Sequence, residues 1–82
     1  MASLINDPGG YRRIQFFDGA GKRWTVRLGK IALKDAETSR RNIERLNSAK
    51  IQKSTVEDEV CRWAADQPDR IHHSLVKAGL VK

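Results

Sequence analysis

The chain has 82 residues, enough for one small domain, and its apolar residues make up 39% of it. It has no run near the ~20 consecutive apolar residues that a membrane span needs, and its start lacks the basic and apolar regions of a signal peptide, so we expect a cytoplasmic protein that does not bind membranes. Its single cysteine, Cys61, excludes an internal disulfide and a cysteine-based zinc cage.

The charge of the chain is strongly asymmetric. The net charge is +6, and residues 1–34 contribute +5 of it, from seven basic and two acidic residues. Residues 35–82 carry nine basic and eight acidic residues. Such an excess predicts a polyanionic partner that meets the first third of the chain, although composition alone does not separate nucleic acid from an acidic membrane or protein.

Two turn signals, Asp7–Gly10 and Asp18–Gly21, delimit three predicted strands. We expect these strands at Ala2–Asn6, Tyr11–Phe17 and Lys22–Leu28. Three short strands joined by tight turns form an antiparallel meander.

Alternation along the second and third strands separates two faces. One face is apolar and consists of Ile14, Phe16, Trp24, Val26 and Leu28. The other is polar around one aromatic and consists of Arg13, Gln15, Phe17, Arg23, Thr25 and Arg27. Because Gln can pair with adenine and Arg with guanine, and acidic residues are almost absent from the strands, we interpret the polar face as a nucleic-acid surface. A merely solvated sheet face is the alternative.

A helix is predicted over about Leu33–Lys50, to cover the apolar face of the sheet. Its apolar stripe consists of Ala36, Ser39 or Arg40, Ile43 and Leu46.

Two shorter helices are predicted after it. Ser54 and Glu57 have the spacing of a capping box before a stripe of Val56, Val60, Trp63 and Ala64. Pro68 suits the first position of the last helix, and Gly79 suits its C-terminal cap, with Leu80 folding back. The expected fold is α+β, with a three-stranded antiparallel sheet packed on a helix in residues 1–50 and a helical extension packed on it in residues 51–82.

No catalytic or metal-binding pattern is present in the sequence. His72 and His73 are adjacent, so on a helix they point about 100° apart and make a poor ligand pair. Cys61 has no base at a meaningful spacing, and Gly19 and Gly21 precede no strand-to-helix turn of the kind that cradles phosphate. We therefore expect no enzymatic activity, no cofactor, no metal and no small-molecule substrate.

The order of the motifs resembles the N-terminal segment of bacterial phage-type integrases, which are tyrosine site-specific recombinases. Those proteins have a short strand, a DPNG-like turn, an R-x-I/V-Q-F strand and a GKR-x-T-I-R-L-G-K strand, and residues 7–16 and 21–30 of this chain are similar to them. Three later segments also fit that group: Asp35–Glu37, Ala64–Asp69 and Leu75–Val81.

This resemblance implies an arm-type module that binds double-stranded DNA through a sheet face in the major groove, in support of DNA integration and recombination. The catalytic tyrosine of such recombinases belongs to a C-terminal domain, so Tyr11 is not carried over as a nucleophile. The parent protein would then continue into further domains, and other recombinase subunits would be possible partners.

On this hypothesis, Arg13, Gln15, Arg23, Thr25 and Arg27 provide specificity, while phosphates are held by Arg12, Lys22 and Lys30. Phe17 either contacts a base, covers the sheet edge or packs on the first strand. Arg40, Arg41 and Arg45 either extend the footprint or are simply solvated. Two rival functions stay open. One is an RNA-binding module that stacks bases on Phe17 or Tyr11. The other is a protein-interaction module that uses the last two helices, with Trp63, Val60, Ile71 and Leu75 as its surface.

Overall fold

The computed structural model describes residues 2–81 and has the predicted α+β architecture, three strands followed by three helices. A short 3-10 turn, Pro8–Gly10, joins the first two strands. The elements are β1 (Ala2–Asn6), β2 (Tyr11–Phe17), β3 (Arg23–Lys30), α1 (Leu33–Gln52), α2 (Asp58–Ala65) and α3 (Asp69–Lys77). Met1 and Lys82, which are the outer ends of the predicted units 1–50 and 51–82, lie outside the described residues.

The sheet is an antiparallel meander in the order β1-β2-β3. Ile14 lies opposite Leu4 and Val26, while Phe16 lies opposite Ala2 and Trp24. These residues share one face because side chains alternate along a strand and cross-strand partners point the same way. Ile14 and Phe16 are fully buried, so the predicted apolar face is confirmed.

A bulge lets β3 run two residues beyond the predicted end at Leu28. Arg13 pairs with Arg27 but Arg12 pairs with Gly29, so one extra residue of β3 is accommodated at Leu28. Gly29 has φ +80°, a left-handed conformation that glycine adopts without a Cβ clash. Pairing then resumes between Tyr11 and Lys30.

The junction of α1 and α2 corrects the predicted capping box. The backbone N–H of Ser54 donates to the carbonyl of Ala49 at 2.9 Å, and Lys53 before it is left-handed with φ +56°. Ser54 thus ends α1, which extends to Gln52 rather than Lys50, and α2 starts only at Asp58, without a side-chain cap. The prediction was wrong because Ser54 contributes its backbone N–H to the end of α1, a bond that does not depend on its side chain.

The end of α3 follows the prediction. Gly79 has φ +78°, and the N–H of Leu80 donates to the carbonyl of Leu75 at 2.9 Å, which is the bonding of a Schellman cap. Leu80 is buried against the core. At the other end, Pro68 is the residue before α3 rather than its first residue.

One apolar core joins the sheet to all three helices. The sheet contributes Ile14, Phe16, Val26 and Leu28; the helices contribute Ala36, Ile43, Leu46, Val60, Ala64, Ile71 and Leu75. Trp24 and Trp63 pack against its edge and are only partly buried. Val60, Ile71 and Leu75 are therefore interior residues and do not form the docking surface that the protein-interaction hypothesis requires. Among the described residues, no helix has both the length and the apolar character of a membrane span.

Candidate nucleic-acid interface

The outward face of the sheet arranges its side chains in rows across the strands. Arg13 lies opposite Arg27, Gln15 opposite Thr25, and Phe17 opposite Arg23. Opposite residues in an antiparallel pair have Cβ atoms about 4.5–5.5 Å apart. The structure thus brings together six of the predicted site residues on one surface, called the ladder face below: Arg13, Gln15, Phe17, Arg23, Thr25 and Arg27.

The outer strand of this face is the more accessible one. Arg23, Thr25 and Arg27 of β3 are exposed, whereas Arg13 and Gln15 of the central strand are half-buried. Phe17 is 54% exposed and lies opposite Arg23. About half of this apolar residue is therefore accessible to a ligand on the ladder face.

Two carboxylates lie near the ends of the ladder face. Asp7 is 3.3 Å from Arg13 Nε. Asp18 accepts hydrogen bonds from the backbone N–H groups of Ala20 and Lys22, each at 2.9 Å, and from Trp24 Nε1 at 2.8 Å. The bond from Trp24, followed by the backbone bond from Lys22, holds the pKa of Asp18 below its ordinary value. Asp18 is thus engaged in its own hairpin turn and leaves the arginines of β3 without an ion-pair partner among residues 2–81.

Arg12 is placed differently from the other predicted site residues. Alternation puts it on the same side of β2 as Ile14, and its Nε donates to the carbonyl of Ile31 at 2.8 Å. Its Nη1 donates to the side chain of Asn6. Arg12 therefore ties the end of β1 to the segment after β3, and its guanidinium is largely committed within the protein.

The two predicted lysines lie at opposite ends of β3. The ammonium of Lys22 stands 4.4 Å from the centre of the Trp24 ring, a cation–π contact on the apolar side of the hairpin. Lys30 is exposed and pairs with Tyr11, so by register it lies on the same side as the ladder face. The bulge at Leu28–Gly29 is what moves Lys30 there, because strict alternation from Leu28 would point it inward.

Arg70 was missed by the sequence prediction. This residue of α3 reaches the sheet, where its Nη2 lies 3.4 Å from the carbonyl oxygen of Leu28. It contributes to an open cleft of about 470 Å³ at one end of the ladder face, together with Asp7, Pro8, Tyr11, Arg12, Arg13, Arg27 and Gly29. The sequence held no signal for this contact, which joins positions 42 residues apart.

The arginines of α1 are partly neutralised. Arg40 lies 3.6 Å from Glu37 and 3.3 Å from Glu44. Arg45 lies 3.4 Å from Glu57. These pairs favour the solvated-face interpretation of α1 over an extension of the footprint.

The candidate catalytic and metal-binding residues stay apart. Cys61 is exposed on α2. His72 Nδ1 lies 3.3 Å from the carbonyl oxygen of Ala64, which gives that ring a partner within the protein. Within residues 2–81, no three metal-ligating side chains come together.

Comparison of the chain with protein-family models, curated proteins and solved structures gave no match. The likeness to phage-type integrases therefore rests on the sequence motifs alone.

Proposed function

We propose that this chain binds double-stranded DNA in a sequence-specific manner through the ladder face. The observation that carries the proposal is the alignment of Arg13, Gln15, Arg23, Thr25 and Arg27 in cross-strand rows on one accessible surface. Gln can bond a base edge through a pair of hydrogen bonds, and Thr contacts either an edge or a thymine methyl. Arg can bond a phosphate or a base edge in the same paired way. Three strands spaced about 4.8 Å apart span about 10 Å, comparable with the ~12 Å width of the major groove.

Electrostatics support the same proposal. Residues 1–34, which include the whole sheet, carry +5 of the net charge of +6. Phosphate contacts supply most of the affinity in protein–DNA complexes, and base contacts supply the discrimination. In this proposal Lys30 and the arginines at the edges of the ladder face meet phosphates, whereas Gln15 and Thr25, in its middle row, face the bases.

The biological setting that we propose is the N-terminal arm-type module of a site-specific integrase of the tyrosine recombinase family. In that setting the module anchors the recombinase on its DNA and has no catalytic role of its own. The motif order in residues 7–30 supports this part of the proposal.

A single-stranded RNA module is the second candidate. The observation that favours it is the exposure of two aromatic rings, Phe17 at 54% and Tyr11 at 56%. Exposed rings on a basic sheet are the usual platform for stacking unpaired bases.

One experiment tests sequence-specific DNA binding against the alternative. A preferred duplex is selected from a randomised pool, and affinity is measured for that duplex, a random duplex and single-stranded RNA. We expect the selected duplex to bind most tightly, and Gln15→Ala to weaken it by about 1–3 kcal/mol while weakening the random duplex much less.

Gln52→Ala is the matched control, since Gln52 is exposed at the end of α1 and its loss removes the same side-chain amide. Equal losses on both duplexes would mean that Gln15 does not contribute to sequence discrimination. Tighter binding to single-stranded RNA would replace the proposal with the second candidate.

A further inference from the structure

The cleft at the end of the ladder face concentrates positive charge. It is lined by four arginines, Arg12, Arg13, Arg27 and Arg70, with one carboxylate, Asp7. We call it the arginine cleft. Its volume of about 470 Å³ falls within the 300–1,000 Å³ typical of ligand clefts.

The charges of the arginine cleft are not balanced within the protein. Arg13 and Arg27 lie directly opposite each other on β2 and β3, an arrangement of like charges that destabilises a sheet. Among residues 2–81, Asp7 forms an ion pair with Arg13 alone, 3.3 Å from its Nε. That Nε atom is buried and has no hydrogen-bond partner within the same residues. Arg27 has no ion-pair partner among residues 2–81.

The backbone of β3 makes room for the arginine that comes from α3. Gly29 follows the bulge, and a Cβ at that position would lie 2.7 Å from Arg70 Nη2. The absent side chain therefore admits the guanidinium of Arg70 to the sheet, where it lies 3.4 Å from the carbonyl oxygen of Leu28. One neutral carbonyl leaves most of the five donors of this guanidinium free for another acceptor.

From this geometry we propose that the arginine cleft binds one phosphate group, and that α3 thereby takes part in DNA binding. Guanidinium groups hold phosphate oxygens through paired, charge-assisted hydrogen bonds. Arg13, Arg27 and Arg70 converge on the cleft from three elements, while Arg12 is held by Ile31 and Asn6 and contributes chiefly charge. The exposed phenol of Tyr11, at the rim, offers a further donor.

The inference rests on the proposed function for the source of the phosphate, which is a phosphodiester of the bound duplex. Free inorganic phosphate has the same chemistry and supplies an independent probe of the cleft. The two sources are separated by measuring both ligands on the same variants.

The test compares Arg70→Gln with the control Arg62→Gln, each in the full chain, by fluorescence anisotropy with a random duplex at several salt concentrations. We expect Arg70→Gln to weaken duplex binding by about tenfold at low salt and to reduce the slope of log affinity against log salt by about one, the signature of one lost phosphate contact. Arg62→Gln should change neither quantity by a comparable amount. Thermal unfolding checks that both variants keep the fold. We expect both to be folded, because Arg70 and Arg62 are exposed.

A second arm follows the side-chain Nε–H signals of the arginines by NMR during titration with inorganic phosphate, against sodium chloride at the same ionic strength. Saturable shifts of Arg13, Arg27 and Arg70 with phosphate only are expected, and Arg70→Gln should abolish them. Equal duplex binding by Arg70→Gln and Arg62→Gln would overturn the proposal. If the native chain binds no duplex, the proposed function fails. The phosphate site then stands if the shifts are seen and falls if they are absent.

Discussion

The arginine pair Arg13 and Arg27 places two like charges directly opposite each other in a small sheet. We expect Arg27→Gln to raise the free energy of unfolding, by about 0.2–1 kcal/mol, because it relieves this repulsion. Urea unfolding at low salt measures the change.

Arg23→Gln is the control for this prediction, because Arg23 lies opposite Phe17 rather than another cation. It should leave stability nearly unchanged. A loss of stability in Arg27→Gln would mean that the arginine pair is stabilised by contacts that outweigh its repulsion.

Asp18 gives the fold a defined dependence on acid. Its pKa is held below the ordinary value of 3.8, first by the hydrogen bond from Trp24 and then by the backbone bond from Lys22. A carboxylate with a lowered pKa in the folded state contributes stability that is fully present above its unfolded pKa and is lost as pH falls through its folded pKa.

We therefore expect the unfolding midpoint of the native chain in urea to fall as pH drops below about 4, and Asp18→Asn to flatten this part of the curve. The double variant Asp18→Asn, Trp24→Phe should add little further flattening, since Asp18→Asn already removes the titrating carboxyl on which the Trp24 bond acts. An unchanged acid slope in Asp18→Asn would assign the acid sensitivity to other carboxylates.

At the residue scale, the sequence predicted which side chains share the ladder face, because alternation is a local property of an extended strand. It did not predict Arg70, which reaches Leu28 only once α3 has packed on β3. Nor did it predict that Asn47, buried in α1, donates to the carbonyl of Phe17 at 2.7 Å. Both contacts depend on tertiary packing, for which a single sequence has no short-range pattern.

The elements show the same division between local and tertiary signals. Gly79 was recognised as the cap of α3 because a left-handed glycine after an apolar stripe is a local signature. The bulge at Leu28–Gly29 was missed, since a one-residue shift in register is fixed by the partner strand. Ser54 was assigned to the wrong helix because its spacing to Glu57 fits a capping box, whereas its backbone N–H closes α1, a bond for which the sequence has no side-chain signature.

The packing of α3 on the core contributes to the stability of the sheet as well as to that of the helix. Leu75 is fully buried in the core shared with the sheet, so Leu75→Ala should lower the free energy of unfolding by about 2–5 kcal/mol. Because the core is continuous, we expect helix and sheet to unfold together. In a Trp63→Phe background, the fluorescence of Trp24 reports the sheet while circular dichroism reports the helices, and both midpoints should shift equally.

Val76→Ala is the control for α3, because Val76 is 40% exposed and its truncation should cost within about 0.5 kcal/mol. A Trp24 midpoint that stays fixed in Leu75→Ala while the helical signal shifts would mean that residues 51–82 form a separable extension rather than part of one cooperative unit.

At the scale of the whole molecule, the charge of the sheet and the packing of the helices indicate one binding surface, the ladder face. The sheet carries most of the net charge, α1 packs on its apolar face, and α3 adds Arg70 at one end of the ladder face. Arg40 and Arg45 of α1 are paired with glutamates and lie outside this surface. The account therefore predicts a footprint of a few phosphates, met by Arg13, Arg23, Arg27, Lys30 and Arg70.

The central claim is tested most directly by the affinity of the native chain for random duplex DNA, measured by fluorescence anisotropy across a salt series. We expect affinity to fall as salt rises, with a log–log slope of about −3, which corresponds to one phosphate in the arginine cleft and one each at Arg23 and Lys30. Absence of binding even at low salt would contradict the account and leave the ladder face as a solvated surface.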